Sequence, residues 1–144
     1  MINRLTASEQ ETVDAGHDLG RTLRAGQVVL LHGPLGAGKT AFVRGMAGGL
    51  GCDPDAVSSP TFTIVQDYPG RTRLQHVDLY RLSSKEADDL ALDDLFEGSV
   101  TAIEWPERWD NVPPDAIEVT LEVTGASSRR VTIVGAGSYR DSTR

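Results

Sequence analysis

Residues 33–40 read Gly33-Pro34-Leu35-Gly36-Ala37-Gly38-Lys39-Thr40, which is the spacing GxxxxGK[ST] of a phosphate-binding loop. Glycines at such positions let backbone N–H groups converge on an anion. A lysine in this place reaches the β- and γ-phosphates of a nucleotide, and the hydroxyl after it ligates Mg²⁺. The motif works only between a strand and a helix. Val28-Val29-Leu30-Leu31 supplies an apolar strand before it, and Ala41-Phe42-Val43-Arg44 supplies helix-compatible residues after it. That helix would turn its positive N-terminal end toward the same anion. Lys39 and Lys85 are the only lysines, so the lysine of the loop does not come from a lysine-rich composition. Gly33, Gly36, Ala37, Gly38, Lys39, Thr40 and Ala41 are therefore the expected nucleotide-binding residues, with Thr40 on the metal.

A metal at a nucleotide keeps several waters and takes one or two protein oxygens, so a carboxylate at a strand end should join Thr40. Glu104 ends the run Val100-Thr101-Ala102-Ile103, and Asp78 lies late in Leu74-Gln75-His76-Val77. Neither follows the four-residue apolar run of an ordinary Walker B strand, and spacing does not choose between them. His76 shares a strand face with Asp78 and reads as a hydrogen-bonded structural histidine. Trp105 could stack, anchor a partner or fill a local core. Thr61, after Ser59-Pro60, offers either a hydroxyl near the γ-phosphate or an ordinary turn residue.

The elements that must hold these residues follow from pattern. Ser8 and Glu11 form a capping-box pair that starts a helix, with Val13, Leu19 and Leu23 as its stripe and Gly26 as its stop. Residues 27–32 are apolar on both faces, as in a central parallel strand. The helix after the loop should run to about Leu50 and end at Gly51. Thr61 to Tyr68 and Arg73 to Tyr80 alternate about a Pro69-Gly70 turn, which predicts a hairpin. Ser83 or Ser84 caps a helix through Leu90, and a second short helix ends near Gly98. Residues 100–104 form a short strand, followed by a brief helix at Trp105 to Arg108. Ile117 to Val123 pairs with Arg129 to Val134. The fold class expected is α/β: a P-loop NTPase-like three-layer fold with a mixed, mainly parallel central sheet and antiparallel hairpins. Residues 1–135 should form one domain and residues 136–144 a frayed tail. The nucleotide should lie outside the carboxyl ends of the parallel strands.

Composition removes other classes. A chain of 144 residues with 39% hydrophobic and 24% charged residues is a globular domain. Its apolar runs are too short for a membrane helix, and its start lacks a signal-peptide pattern, so a cytoplasmic location is expected. Cys52 is the single cysteine and allows no internal disulfide. A net charge of −7 argues against gripping nucleic acid directly. The acids Glu86, Asp88, Asp89, Asp93, Asp94 and Glu97 read as a solvated helical face or as a docking surface for a basic partner.

Four blocks, in order, give a resemblance: Gly36-Ala37-Gly38-Lys39-Thr40, Ser59-Pro60-Thr61-Phe62-Thr63, His76-Val77-Asp78-Leu79-Tyr80-Arg81-Leu82 and Ile103-Glu104-Trp105-Pro106-Glu107. With them the chain resembles the TsaE (YjeE) family of bacterial ATPases in tRNA threonylcarbamoyladenosine biosynthesis, over about Ser8 to Val134. The resemblance implies a small α/β P-loop fold and an ATPase that is weak alone. Its partners would be TsaD and TsaB, with tRNA met only indirectly through that complex. It implies ATP and Mg²⁺ as cofactors and Glu104 as the metal-associated acid. Asp78 and Thr61 would be functional neighbours, Trp105 would lie close to the site, and Glu11-Thr12 would contact the adenine side. Two other classes stand beside this one. A small-molecule kinase needs an acceptor pocket and an arginine-rich lid, and no such lid is visible. A nucleotide-gated assembly module would bind ATP without needing turnover. A guanine-reading [NT]KxD segment and an LSGGQ-like signature are both missing.

Overall fold

A computed structural model describes residues 1–58 and 64–135. Seven strands form one sheet: β1 (Ile2–Thr6), β2 (Val28–His32), β3 (Val65–Tyr68), β4 (Arg73–Asp78), β5 (Ser99–Glu104), β6 (Ile117–Val123) and β7 (Arg129–Val134). Their spatial order is β1-β7-β6-β2-β5-β4-β3. The four middle strands run parallel, and β1, β7 and β3 add antiparallel edges. The mixed α/β architecture expected from the pattern is therefore present.

Four helices cover the sheet: α1 (Glu9–Gly20), α2 (Lys39–Gly49), α3 (Ser84–Asp89) and α4 (Asp93–Phe96). β2 is buried on both faces, as its unbroken apolar run requires. Val29 and Leu31 join a core with α1 and α2, whereas Val28 and Leu30 join a second core with Leu92 and Trp109. The result is helix, sheet, helix. Among the described residues no helix is long and apolar enough to cross a membrane.

Several expected boundaries moved. α1 ends at Gly20 and not at Gly26. Thr22 and Leu23 donate to the carbonyls of Leu19 and Gly20 in a tightened turn, and the Thr22 hydroxyl also bonds Leu19 O at 2.8 Å. Gly26 then docks on Ser99 O. β1 was not foreseen. It is an edge strand whose Asn3 and Arg4 interrupt the apolar pattern, and Arg4 reaches Asp18 of α1 at 2.7 Å. β3 is shorter than the expected strand, beginning at Val65. The Thr61 to Thr63 part of that expectation lies outside the described residues, as does the expected tail 136–144. Ser83 is the cap of α3, with a complete capping box to Glu86.

The contact between α1 and α2 is made by glycines. Gly16 and Gly20 on one helix face Gly45 and Gly49 on the other at four-residue spacing. A Cβ at Gly45 would stand 1.9 Å from Val13 O, and one at Gly16 would stand 2.0 Å from Phe42 O. Only hydrogen fits there, so the two backbones touch. Gly48 faces the edge of His17, and its Cβ would have 3.3 Å. Gly45→Ala should lower the unfolding free energy by about 1–3 kcal/mol or more through overpacking. Gly48→Ala should be neutral or stabilising, because alanine is the better helix former by about 1 kcal/mol. Urea denaturation of the two variants checks the contrast.

Candidate nucleotide-binding site

The carboxyl ends of the parallel strands share one edge of the sheet, so His32, Asp78 and Glu104 end side by side. β1 runs the same way and delivers Thr6 and the start of α1 to that edge. β7 runs oppositely and delivers its first residue, Arg129. Chain direction alone thus gathers the loop, the acids, Thr12 and Arg129 from distant parts of the sequence.

A cleft of about 380 Å³ opens at this edge, with Lys39, Thr40, Gly36, Gly38, Glu104 and Thr12 on its walls. Gly36 and Gly38 have φ of +79° and +97°, which suits glycine and turns the chain around the cleft. Gly38 caps α2, so the helix begins at Lys39 with its first amides at the cleft. A side chain on Gly33 would stand 2.8 Å from Leu121 O, so the glycine is also needed where the loop leaves β2.

Lys39 Nζ donates to Gly33 O at 2.7 Å and lies 3.8 Å from the Trp105 ring centroid. Burial lowers its ammonium below the ordinary lysine range, opposed by the carboxylates of Glu104, Asp78 and Glu107. Trp105 itself has φ +60°, a left-handed backbone that costs a non-glycine residue about 1–2 kcal/mol. Its ring also packs on Tyr80 at 4.8 Å between centroids. Trp105 thus stacks on Tyr80, faces the Lys39 cation and packs against the second core.

Asp78 and Glu104 are register partners on adjacent strands. Glu104 is buried, its Oε2 bonds His76 Nε2 at 2.7 Å, and the residue lines the cleft. Asp78 is half-buried and does not line the cleft; its Oδ1 accepts from Tyr80 N at 2.9 Å. Burial raises the Asp78 carboxyl; the Tyr80 amide pulls it down, and Glu104 pushes it up again. The hydroxyl of Thr40 and the carboxylate of Glu104 are the hard oxygen donors that Mg²⁺ prefers, on a cleft of glycine amides suited to phosphate.

The structure brings together Gly36, Gly38, Lys39, Thr40, Ala41, Thr12 and Glu104 on the cleft, with Trp105 against Lys39. Gly33 and Ala37 serve through their carbonyls, which accept from Lys39 and Arg129. Thr12 contributes its methyl, 3.5 Å from where a Gly38 Cβ would be, while its hydroxyl is bonded to Thr6 at 2.9 Å. Glu11 is turned away and caps Ala7 N. Glu9, one turn before Thr12, lines the cleft in its place. Thr61 lies outside the described residues. Sequence reasoning missed Glu9, Ser127 and Arg129. Glu9 had a signal in its i, i+3 spacing from Thr12; the other two sit in and beside a hairpin turn with no motif around them.

The family model described as threonylcarbamoyl adenosine biosynthesis protein TsaE matches residues 6–131. The chain belongs to the TsaE family. A TsaE of Nostoc sp. is 42% identical over 139 residues, covering 92% of this chain and 85% of the relative. A TsaE of Treponema pallidum is 40% identical over 132 residues, covering 90% and 97%. The crystal structure of YdiB from Bacillus subtilis superposes with a TM-score of 0.76 at 28% identity, covering 98% of this chain and 89% of that one. As a TsaE-family protein the chain takes part in tRNA threonylcarbamoyladenosine biosynthesis.

The buried His76–Glu104 pair yields a prediction. His76→Leu removes the donor and leaves a buried carboxylate oxygen unpaired, which should cost about 1–3 kcal/mol of stability by denaturant titration.

Proposed function

We propose that the chain is an Mg²⁺-dependent ATPase whose cycle serves the TsaB–TsaD pair in threonylcarbamoyl transfer to tRNA. The observation that carries this reading is the meeting of Lys39, Thr40 and Glu104 on a glycine-amide cleft in a TsaE-family chain. The nucleotide's β- and γ-phosphates would enter the loop. The Lys39 ammonium would exchange Gly33 O for phosphate oxygen, and the loop amides would share the growing charge. Thr40 and Glu104, with Asp78 beside them, would hold Mg²⁺, which supplies charge neutralisation across the phosphate oxygens. Asp78, paired with Glu104 and anchored by the Tyr80 amide, would orient a water. Attack by that water breaks the bond from the γ-phosphorus to its bridging oxygen and yields ADP, phosphate and a proton.

No arginine finger is assigned within the chain; Arg44, Arg81 and Arg108 are unranked for that role. A charge supplied by the partner complex would then be needed for fast turnover. This fits a chain of net charge −7 that meets tRNA through its partners and not directly. Isolated protein should hydrolyse ATP slowly, and adding TsaB and TsaD should raise the rate. Glu104→Gln should keep ATP binding while lowering turnover on the order of a hundredfold or more. Rapid hydrolysis by the isolated chain, unchanged by the pair, contradicts the proposal. Full tRNA modification supported by Glu104→Gln would instead show that occupancy alone suffices, as in a nucleotide-gated assembly module.

A further inference from the structure

We propose that Arg129 is a positioning residue that holds the phosphate loop open in its binding shape before any nucleotide arrives; this rests on the reading of the loop as a nucleotide site. Its guanidinium reaches four carbonyls. Nε donates to Ala37 O at 3.0 Å and Nη2 to Gly36 O at 3.1 Å. Nη1 donates to Ser128 O at 2.8 Å and to Gly125 O at 3.1 Å. Two acceptors belong to the loop and two to the β6–β7 turn, so one planar group brackets the loop onto the hairpin.

Peptide planarity gives the bracket its purpose. The C=O and N–H of one trans peptide point in opposite directions. The peptide that carries Ala37 O also carries the Gly38 N–H, and the one that carries Gly36 O carries the Ala37 N–H. With both carbonyls turned to Arg129, both amides point away from the guanidinium. The Ala37 amide closes the loop on Pro34 O at 3.1 Å. A loop with glycines at Gly36 and Gly38 loses much conformational freedom on ordering. Arg129 meets that cost within the folded chain, so phosphate binding need not. The guanidinium also polarises both peptides, making their N–H groups stronger donors. Arg129 is fixed in turn by β1, where its register partner is Thr6. Thr6 bonds Thr12, whose methyl packs at Gly38.

A lysine at this position keeps the charge but loses the fork that reaches two carbonyls of the loop. In ligand-free protein, Arg129→Lys and Arg129→Ala should both speed hydrogen exchange of the amides of residues 35–39, with the rest of β7 protected as in wild type. Both should weaken ADP binding by about tenfold or more. Arg130→Ala, on the same strand but paired outward with Glu122, should change neither. Wild-type exchange and affinity in Arg129→Lys would overturn the bracket and leave a simple charge effect. Arg129→Lys keeps the length of the side chain and answers the question if the alanine variant does not fold. If wild-type protein bound neither ADP nor ATP, the nucleotide reading would fall, while the exchange contrast in ligand-free protein would still decide the bracket.

Discussion

Two helix backbones in direct contact set the geometry of this protein. α2 cannot carry the loop's lysine to a useful place unless its first turn is fixed relative to α1, and the fixing is done by Gly16, Gly20, Gly45 and Gly49. Because no side chain separates the helices, Thr12 comes to rest against Gly38 and Glu9 reaches the cleft. Larger residues would part the helices and move the wall of the cleft away from its floor. The same layer buries Phe42 and Met46 completely against the sheet, so the contact is also part of the main core.

The site then follows from chain direction. Parallel strands end together, and an antiparallel strand begins where they end. Asp78 and Glu104 therefore stand next to the loop leaving β2, and Arg129 enters from the first position of β7. Each functional group is held by a second one. His76 holds Glu104, the Tyr80 amide holds Asp78, and Trp105 faces the Lys39 ammonium. The acids oppose what burial does to Lys39, which favours its charged form.

Much of this was legible in the sequence. The loop, the buried strand β2, both hairpins and the helix start at Ser83 or Ser84 are local patterns, and local patterns survive folding. What was not legible depends on partners far along the chain. β1 has too few apolar residues to announce itself and forms because β7 offers an edge. Asp78 and Glu104 could not be ranked from spacing, because the difference between them lies in what each carboxylate touches. His76 read correctly as hydrogen-bonded, yet its partner is Glu104 across the sheet and not its strand neighbour Asp78. Arg129 carries no motif, since its acceptors are main-chain carbonyls and any sequence supplies those. The glycines of α1 and α2 were visible at four-residue spacing but have meaning only once two such helices meet.

In the proposed cycle, nucleotide handling at the loop drives the tRNA modification. The most direct measurement is the threonylcarbamoyladenosine content of tRNA in bacteria depleted of their own TsaE and supplied with this chain or with its Lys39→Ala form. The unaltered chain should restore the modified nucleoside, and Lys39→Ala, expressed and folded to the same level, should not. Equal restoration by the two proteins would contradict it.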